Sequence, residues 1–165
     1  MLDIITHTPY WVWGLLIFLL VIGSLSLKDR TIPVYRVMPL PIIFSFLSFF
    51  SIISMYSGEL LLSAMIANFI FLVVGVLIVE KILISMGIRV VYHRSERRLF
   101  ISGNGFTLVS VILIFLVKYV LNVFLVIKHP SLTDDFSFAI IFGAIQGICA
   151  SVFLGELLYF YKKTR

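Results

Sequence analysis

Five apolar runs, each long enough to cross a bilayer as a helix, constrain this chain more than any motif in it. They occupy residues 9–27, 37–55, 60–85, 106–127 and 136–161. A hydrocarbon core about 30 Å thick needs about 20 such residues of helix. Turn and capping residues fall between the runs. Thr8 and Pro9 suit the cap and first position of the first helix. Tyr10, Trp11 and Trp13 form an interfacial belt, and Lys28, Asp29 and Arg30 end the span. Tyr56, Ser57, Gly58 and Glu59 read as a tight turn, which makes the second and third helices an antiparallel hairpin. Gly103, Asn104 and Gly105 break the chain before the fourth helix, and a polar loop over 128–135, with Asp134 and Asp135 placed to cap, precedes the fifth. The expected fold is all-α: a five-transmembrane-helix bundle forming a single membrane domain over residues 1–165.

Composition agrees. Of 165 residues, 61% are hydrophobic and 13% charged, and mean hydropathy is +1.15, whereas soluble domains are about half apolar and about a quarter charged. So short a chain cannot hide that much apolar surface in one aqueous core, which leaves lipid as the solvent for much of it. The net charge of +5 sits in clusters between apolar runs, a distribution better read as membrane orientation than as a nucleic-acid-binding stripe. A lone cysteine, Cys149, excludes an intramolecular disulfide and a CxxC pair. The first apolar run lacks a basic lead and a cleavage site, and reads as a retained helix.

Lysine and arginine counts orient the bundle. One side receives Lys28, Arg30, Arg36, Arg89, Arg94, Arg97, Arg98, Lys162, Lys163 and Arg165, and the other receives Lys128. Ten against one requires an odd number of spans and makes the basic side cytoplasmic, with the N-terminus outside and the C-terminus inside. Between the third and fourth spans, Ile88, Val90 and Tyr92 alternate with Arg89, Val91 and His93. Leu99 and Ile101 alternate with Arg98, Phe100 and Ser102. This period-two pattern predicts a short cytoplasmic β-hairpin over 88–102. Its arginines, Arg89, Arg94, Arg97 and Arg98, are candidate anionic-lipid contacts; a plain topology signal is the more ordinary explanation.

Polar groups inside apolar spans cost free energy and need a reason. Lys118 lies twelve residues into the fourth helix, about 18 Å along it and so near the midplane. Asn122 is one turn further on the same face, Gln146 falls at a similar depth in the fifth helix, and Asn68 lies eight residues into the third, on the outer half. Glu80 and Glu156 lie nearer the basic side. Two readings follow. In one, Lys118, Asn122, Asn68 and Gln146 line a polar site with Glu80 and Glu156 at its mouth. In the other, the amides make interhelical hydrogen bonds of about 1 kcal/mol each.

Ala139, Gly143, Gly147, Ser151 and Gly155 recur every four residues down the fifth helix. Such a stripe lets another backbone approach closely, either within the chain or at a homodimer seam. Ser45, Ser48, Ser51 and Ser54 recur every three residues in the second helix, as packing positions with hydroxyls bonded back to their own helix. His7, His93 and His129 all lie in tails or loops, which excludes a membrane haem. No HExxH, nucleophile elbow or P-loop occurs. The expectation is a protein that is not an enzyme and carries no cofactor or metal.

The opening MLDIITHTPYWVWGLLIF, the Arg30–Thr31–Ile32–Pro33 step, and the basic hairpin ending at Gly103 before a run reaching Phe115, Lys118 and Tyr119 carry a resemblance. The chain resembles an uncharacterised family of small bacterial inner-membrane proteins, a domain of unknown function that is distantly similar to cytochrome c biogenesis proteins of the CcdC type. The resemblance implies a multi-pass protein of the bacterial inner (cytoplasmic) membrane. Haem ligands and paired redox cysteines are missing here, so the CcdC-type activity does not carry over. The expected role is a non-enzymatic accessory or assembly subunit acting through helix contacts in the lipid bilayer, as a homodimer or in a larger membrane complex. The alternative is a small transporter or channel-like protein with Lys118 at its centre.

Overall fold

The computed structural model describes residues 10–93, 98–128 and 134–163. Five helices and three short strands follow one another: α1 (Tyr10–Leu25), β1 (Arg30–Pro33), α2 (Pro39–Met55), α3 (Gly58–Ser85), β2 (Val90–His93), β3 (Arg98–Ile101), α4 (Phe106–Lys128) and α5 (Phe136–Lys163). The helix ends have local causes. Pro39 occupies the first turn of α2, where a missing N–H costs nothing. Gly58 starts α3 at φ 59°, a left-handed conformation that makes the two-residue connection from α2 feasible. Gly87 stops α3 at φ 63°. Asn104 Oδ1 accepts from the Phe106 N–H at 3.1 Å to open α4, and Asp135 Oδ1 accepts from the Ser137 N–H at 2.9 Å to open α5.

The chain divides into two compact units. One, residues 1–30 and 102–129, sets the end of α1 against the start of α4. Its seam is tight at Gly23, where a Cβ would come within 3.1 Å of Leu108 Cα. Asn104 N–H donates to Ser26 O at 2.9 Å, and Gly103 N–H donates to Asp29 Oδ1 at 2.6 Å. The aspartate that ends α1 thus receives the glycine break before α4.

The other unit, residues 31–101 and 130–165, holds α2, α3, α5 and the sheet. α5 is its centre, with Phe142, Ala150, Phe153 and Phe160 all buried. As α5 advances from Gly143 to Gly155, the residues it meets in α3 advance from Ala64 to Val79, so these two helices run parallel. α2 runs against both: Tyr56, at its end, meets Phe142 with ring centroids 5.7 Å apart, and Phe44, near its start, meets Phe153 at 4.4 Å. This places Arg36, Lys81, Arg89, Lys162 and Lys163 at one end of the unit and Glu59, Asp134 and Asp135 at the other.

The expected hairpin is part of something larger. β2 and β3 pair antiparallel with Val90 opposite Ile101 and His93 opposite Arg98, and β1 joins on the far side of β3 to give a three-stranded sheet of order β1-β3-β2. The sequence pattern predicted two strands. The third was missed because Arg30–Pro33 is four residues long, ends in proline and pairs with a strand far away in sequence, so neither a turn nor alternation announces it. Leu99 and Ile101 are buried under the sheet, and Tyr159 of α5 donates to Ile88 O at 2.8 Å. Three helices are long and apolar enough to cross a membrane, namely Gly58–Ser85, Phe106–Leu125 and Phe136–Lys163. Among the described residues α1 and α2 are shorter apolar helices of 16 and 17 residues, so the five-span expectation is met by length in three helices.

Candidate functional site

The residues singled out in the sequence are distributed over both units. Asn68, Gln146, Glu80 and Glu156 belong to the unit built on α5, whereas Lys118 and Asn122 belong to the α1–α4 unit. Asn122 is exposed and donates to Lys118 O at 2.8 Å, a bond within its own helix. Lys118 is half-buried. Arg89, just before β2, and Arg98, in β3, are exposed. Thr8, Pro9, His7, Arg94, Arg97, His129 and Arg165, and the side chains of Tyr10, Trp11, Trp13 and Lys128, lie outside the described residues.

Asn68 and Gln146 form the inner part of a polar layer across α2, α3 and α5. Asn68 is fully buried; its Nδ2 donates to Ser48 Oγ at 2.8 Å and lies 3.4 Å from Gly143 O. Gln146 Nε2 donates to Ser51 Oγ at 3.1 Å. Ser48 and Ser51 therefore serve as acceptors for other helices, unlike Ser54, which bonds back to Ser51 O at 3.1 Å. The three-residue serine period carried the signal, but the amide partners were visible only once α3 and α5 were packed. Two buried oxygens in the layer, Asn68 Oδ1 and Ser45 Oγ, have no partner among the described residues.

The small-residue stripe of α5 lies against α3 inside the chain. Ala139, Gly143, Gly147, Ser151 and Gly155 are all buried. A Cβ at Gly143 would strike Ala64 O, and one at Gly147 would strike Asn68 O. At Gly155 it would stand 2.7 Å from Val79 Cγ1. Lower down, the stripe reverses roles: Gly75 of α3 makes room for the Ser151 hydroxyl. Backbone therefore meets backbone at Gly143 and Gly147, and side chains fill the seam at Gly75 and Gly155.

At the basic end, Lys162 Nζ pairs with Glu80 Oε1 at 2.6 Å, fastening the last turn of α5 to α3. Lys163 sits 5.9 Å from the Tyr159 ring centroid, in cation–π range. Glu156 is buried. Lys81, next to Glu80 in the chain, is exposed. At the acidic end the Tyr56 hydroxyl is buried and has no partner among the described residues. Burial, and secondarily the Asp135 carboxylate, push its pKa up to about 12. Among the described residues no three His, Cys, Asp or Glu side chains cluster as metal ligands, and Cys149 is a buried thiol outside any disulfide.

A family model described as a family of unknown function, DUF6622, matches residues 1–164. The chain belongs to that family. Over 41 residues it is 49% identical to an uncharacterized protein of Pasteurella multocida (strain Pm70), a match covering 25% of this chain and 32% of that protein. The chain thus spans about a third of the length of the curated relative it matches. No solved structure matches. Family membership brings no reaction or ligand with it, so the DUF6622 chain has to be read from its own geometry.

Proposed function

We infer that this DUF6622 chain is a multi-pass protein of the bacterial cytoplasmic membrane, with its N-terminus outside and its C-terminus in the cytoplasm. All five helices are spans in this reading. Seventeen residues of α2 are about 25 Å of helix, at the lower limit for crossing. Strand β1, which leads into α2, pairs with β3, and this supports a common side for the start of α2 and the end of α3. Its role is that of a non-enzymatic accessory or assembly subunit acting through helix contacts.

One observation supports that role above the others: the Asn68 and Gln146 amide nitrogens donate to serines of a neighbouring helix, and glycine-to-carbonyl contacts bring α3 and α5 together. Polar side chains so engaged hold helices together. They do not line an open path. A homodimer would use a face other than the α5 stripe, since α3 already covers it. Native mass spectrometry of the protein, extracted gently from its own membrane, tests the role. Co-purification with an unrelated membrane complex is the expected result, and a self-contained homo-oligomer with no partner contradicts it.

A second reading rests on Lys118, a cation twelve residues into an apolar helix whose neighbours Leu116 and Val120 are exposed. A lysine at that depth costs about 3 kcal/mol on insertion scales, and a transport site would justify the cost. Lys118→Leu separates the two readings. The accessory role predicts a folded, at least equally stable and still functional protein, and a transport site predicts a folded but inactive one.

A further inference from the structure

We propose that the basic end of the α5 unit holds an anionic phospholipid headgroup, with Lys81 as its principal contact; the proposal rests on the membrane reading above. α3 is 28 residues long, about 42 Å, whereas the hydrocarbon core is about 30 Å. A centred α3 therefore extends about four residues beyond the core at each end. Lys81 is four residues from its last residue, Ser85, which puts it at the boundary between acyl chains and phosphates.

The face it occupies is the decisive feature. Val74, Leu77, Ile78 and Ile84 are exposed large apolar side chains on α3, and Lys81 continues that stripe at helical spacing. In the membrane reading that stripe faces lipid, and Lys81 is exposed. Its Cα–Cβ bond tilts toward the helix N-terminus, back toward the hydrocarbon, so the ammonium must turn along its own helix to reach the interface. A phosphodiester at that level meets it directly.

Charge at this end favours an anion. Arg36, Lys81 and Lys163 are exposed. The two carboxylates described here are not free to balance them: Glu80 is paired with Lys162, and Glu156 is buried. Lys81 has no ion-pair partner among the described residues. Because it lies on the lipid-facing stripe and not on the sheet, a lipid phosphate fits better than a soluble acidic partner.

The test uses the full chain purified in detergent, titrated with phosphatidylglycerol or phosphatidylcholine in mixed micelles, or with inorganic phosphate alone. Bound lipid is counted by native mass spectrometry. The proposal expects retention of phosphatidylglycerol over phosphatidylcholine, no competition by inorganic phosphate, and about fivefold weaker retention in Lys81→Gln, from about 1 kcal/mol per interfacial cation. Lys81→Arg should keep the preference. Equal retention of the two lipids, effective competition by inorganic phosphate, or unchanged retention in Lys81→Gln would each overturn it. If Lys81→Gln does not fold, the two-lipid comparison on the natural chain decides. Alkaline carbonate extraction keeps the failures apart. A chain that washes off membranes refutes the membrane reading itself, and one that stays embedded but shows no lipid preference refutes only the headgroup site.

Discussion

Asn68 of α3 donates to Ser48 of α2 at 2.8 Å, joining two antiparallel helices by side chains twenty positions apart in the sequence. The same amide group lies 3.4 Å from the Gly143 carbonyl of α5, so one buried asparagine touches all three helices of the unit. Ser48→Ala removes the better of its two acceptors and should cost about 1 kcal/mol. Asn68→Leu also removes the unpartnered Oδ1, which offsets part of the loss. The double variant should then be no less stable than Asn68→Leu alone, and unfolding in detergent across the four-membered cycle measures that coupling.

Close backbone approach at Gly147 makes a second, steeper prediction. Gly147→Val drives a branched side chain into the Asn68 carbonyl and should destabilise the protein by about 2 kcal/mol or more, seen as a lowered Tm. Gly14→Ala is the matched control. Nothing lies within 4 Å of a Cβ there, and a helical alanine in place of glycine should hold or raise Tm.

Tyr159 fastens the sheet to the bundle through the Ile88 carbonyl. Tyr159→Phe keeps the ring and removes one hydrogen bond, for a loss of about 1 kcal/mol. Hydrogen exchange should speed up in Val90–His93 and Arg98–Ile101 while the amides of α3 keep their protection.

Alkaline pH should weaken the acidic end. Tyr56 keeps its proton in the folded chain up to about pH 12, against a reference value of 10.0. The unfolded chain loses that proton first, so the contribution is intact below pH 10.0 and disappears as pH rises toward 12. Tyr56→Phe should flatten the stability profile in that window. Asp135→Asn, which preserves a capping side chain, should lower the Tyr56 pKa, read as the tyrosinate absorbance difference between each protein and its Tyr56→Phe partner.

Much of the helical framework was legible because apolar runs, glycines and caps are local signals. The Gly58 turn, the Gly87 stop and the Asp135 cap each depend on residues within a few positions. Long-range pairing was not legible. Strand β1 depends on β3, far along the chain, and Ser48 and Ser51 look like ordinary helix serines until Asn68 and Gln146 are packed against them. Lys81 was passed over for a different reason: it sits inside an apolar run, and only the length of α3 places it near the interface. Lys118 and the intramembrane amides looked alike in sequence because depth can be counted along a helix, whereas the direction a side chain faces depends on packing.

The most direct test of the central claim is the side of the membrane on which Arg36 lies. In a Cys149→Ala background, Arg36→Cys, Ser57→Cys and Lys163→Cys are each treated with a membrane-impermeant maleimide, before and after the cytoplasmic membrane is opened. Five spans predict that Ser57→Cys labels in intact spheroplasts, while Arg36→Cys and Lys163→Cys label only after opening. Labelling of Arg36→Cys in intact spheroplasts, alongside Ser57→Cys, would contradict the account and leave α2 outside the bilayer.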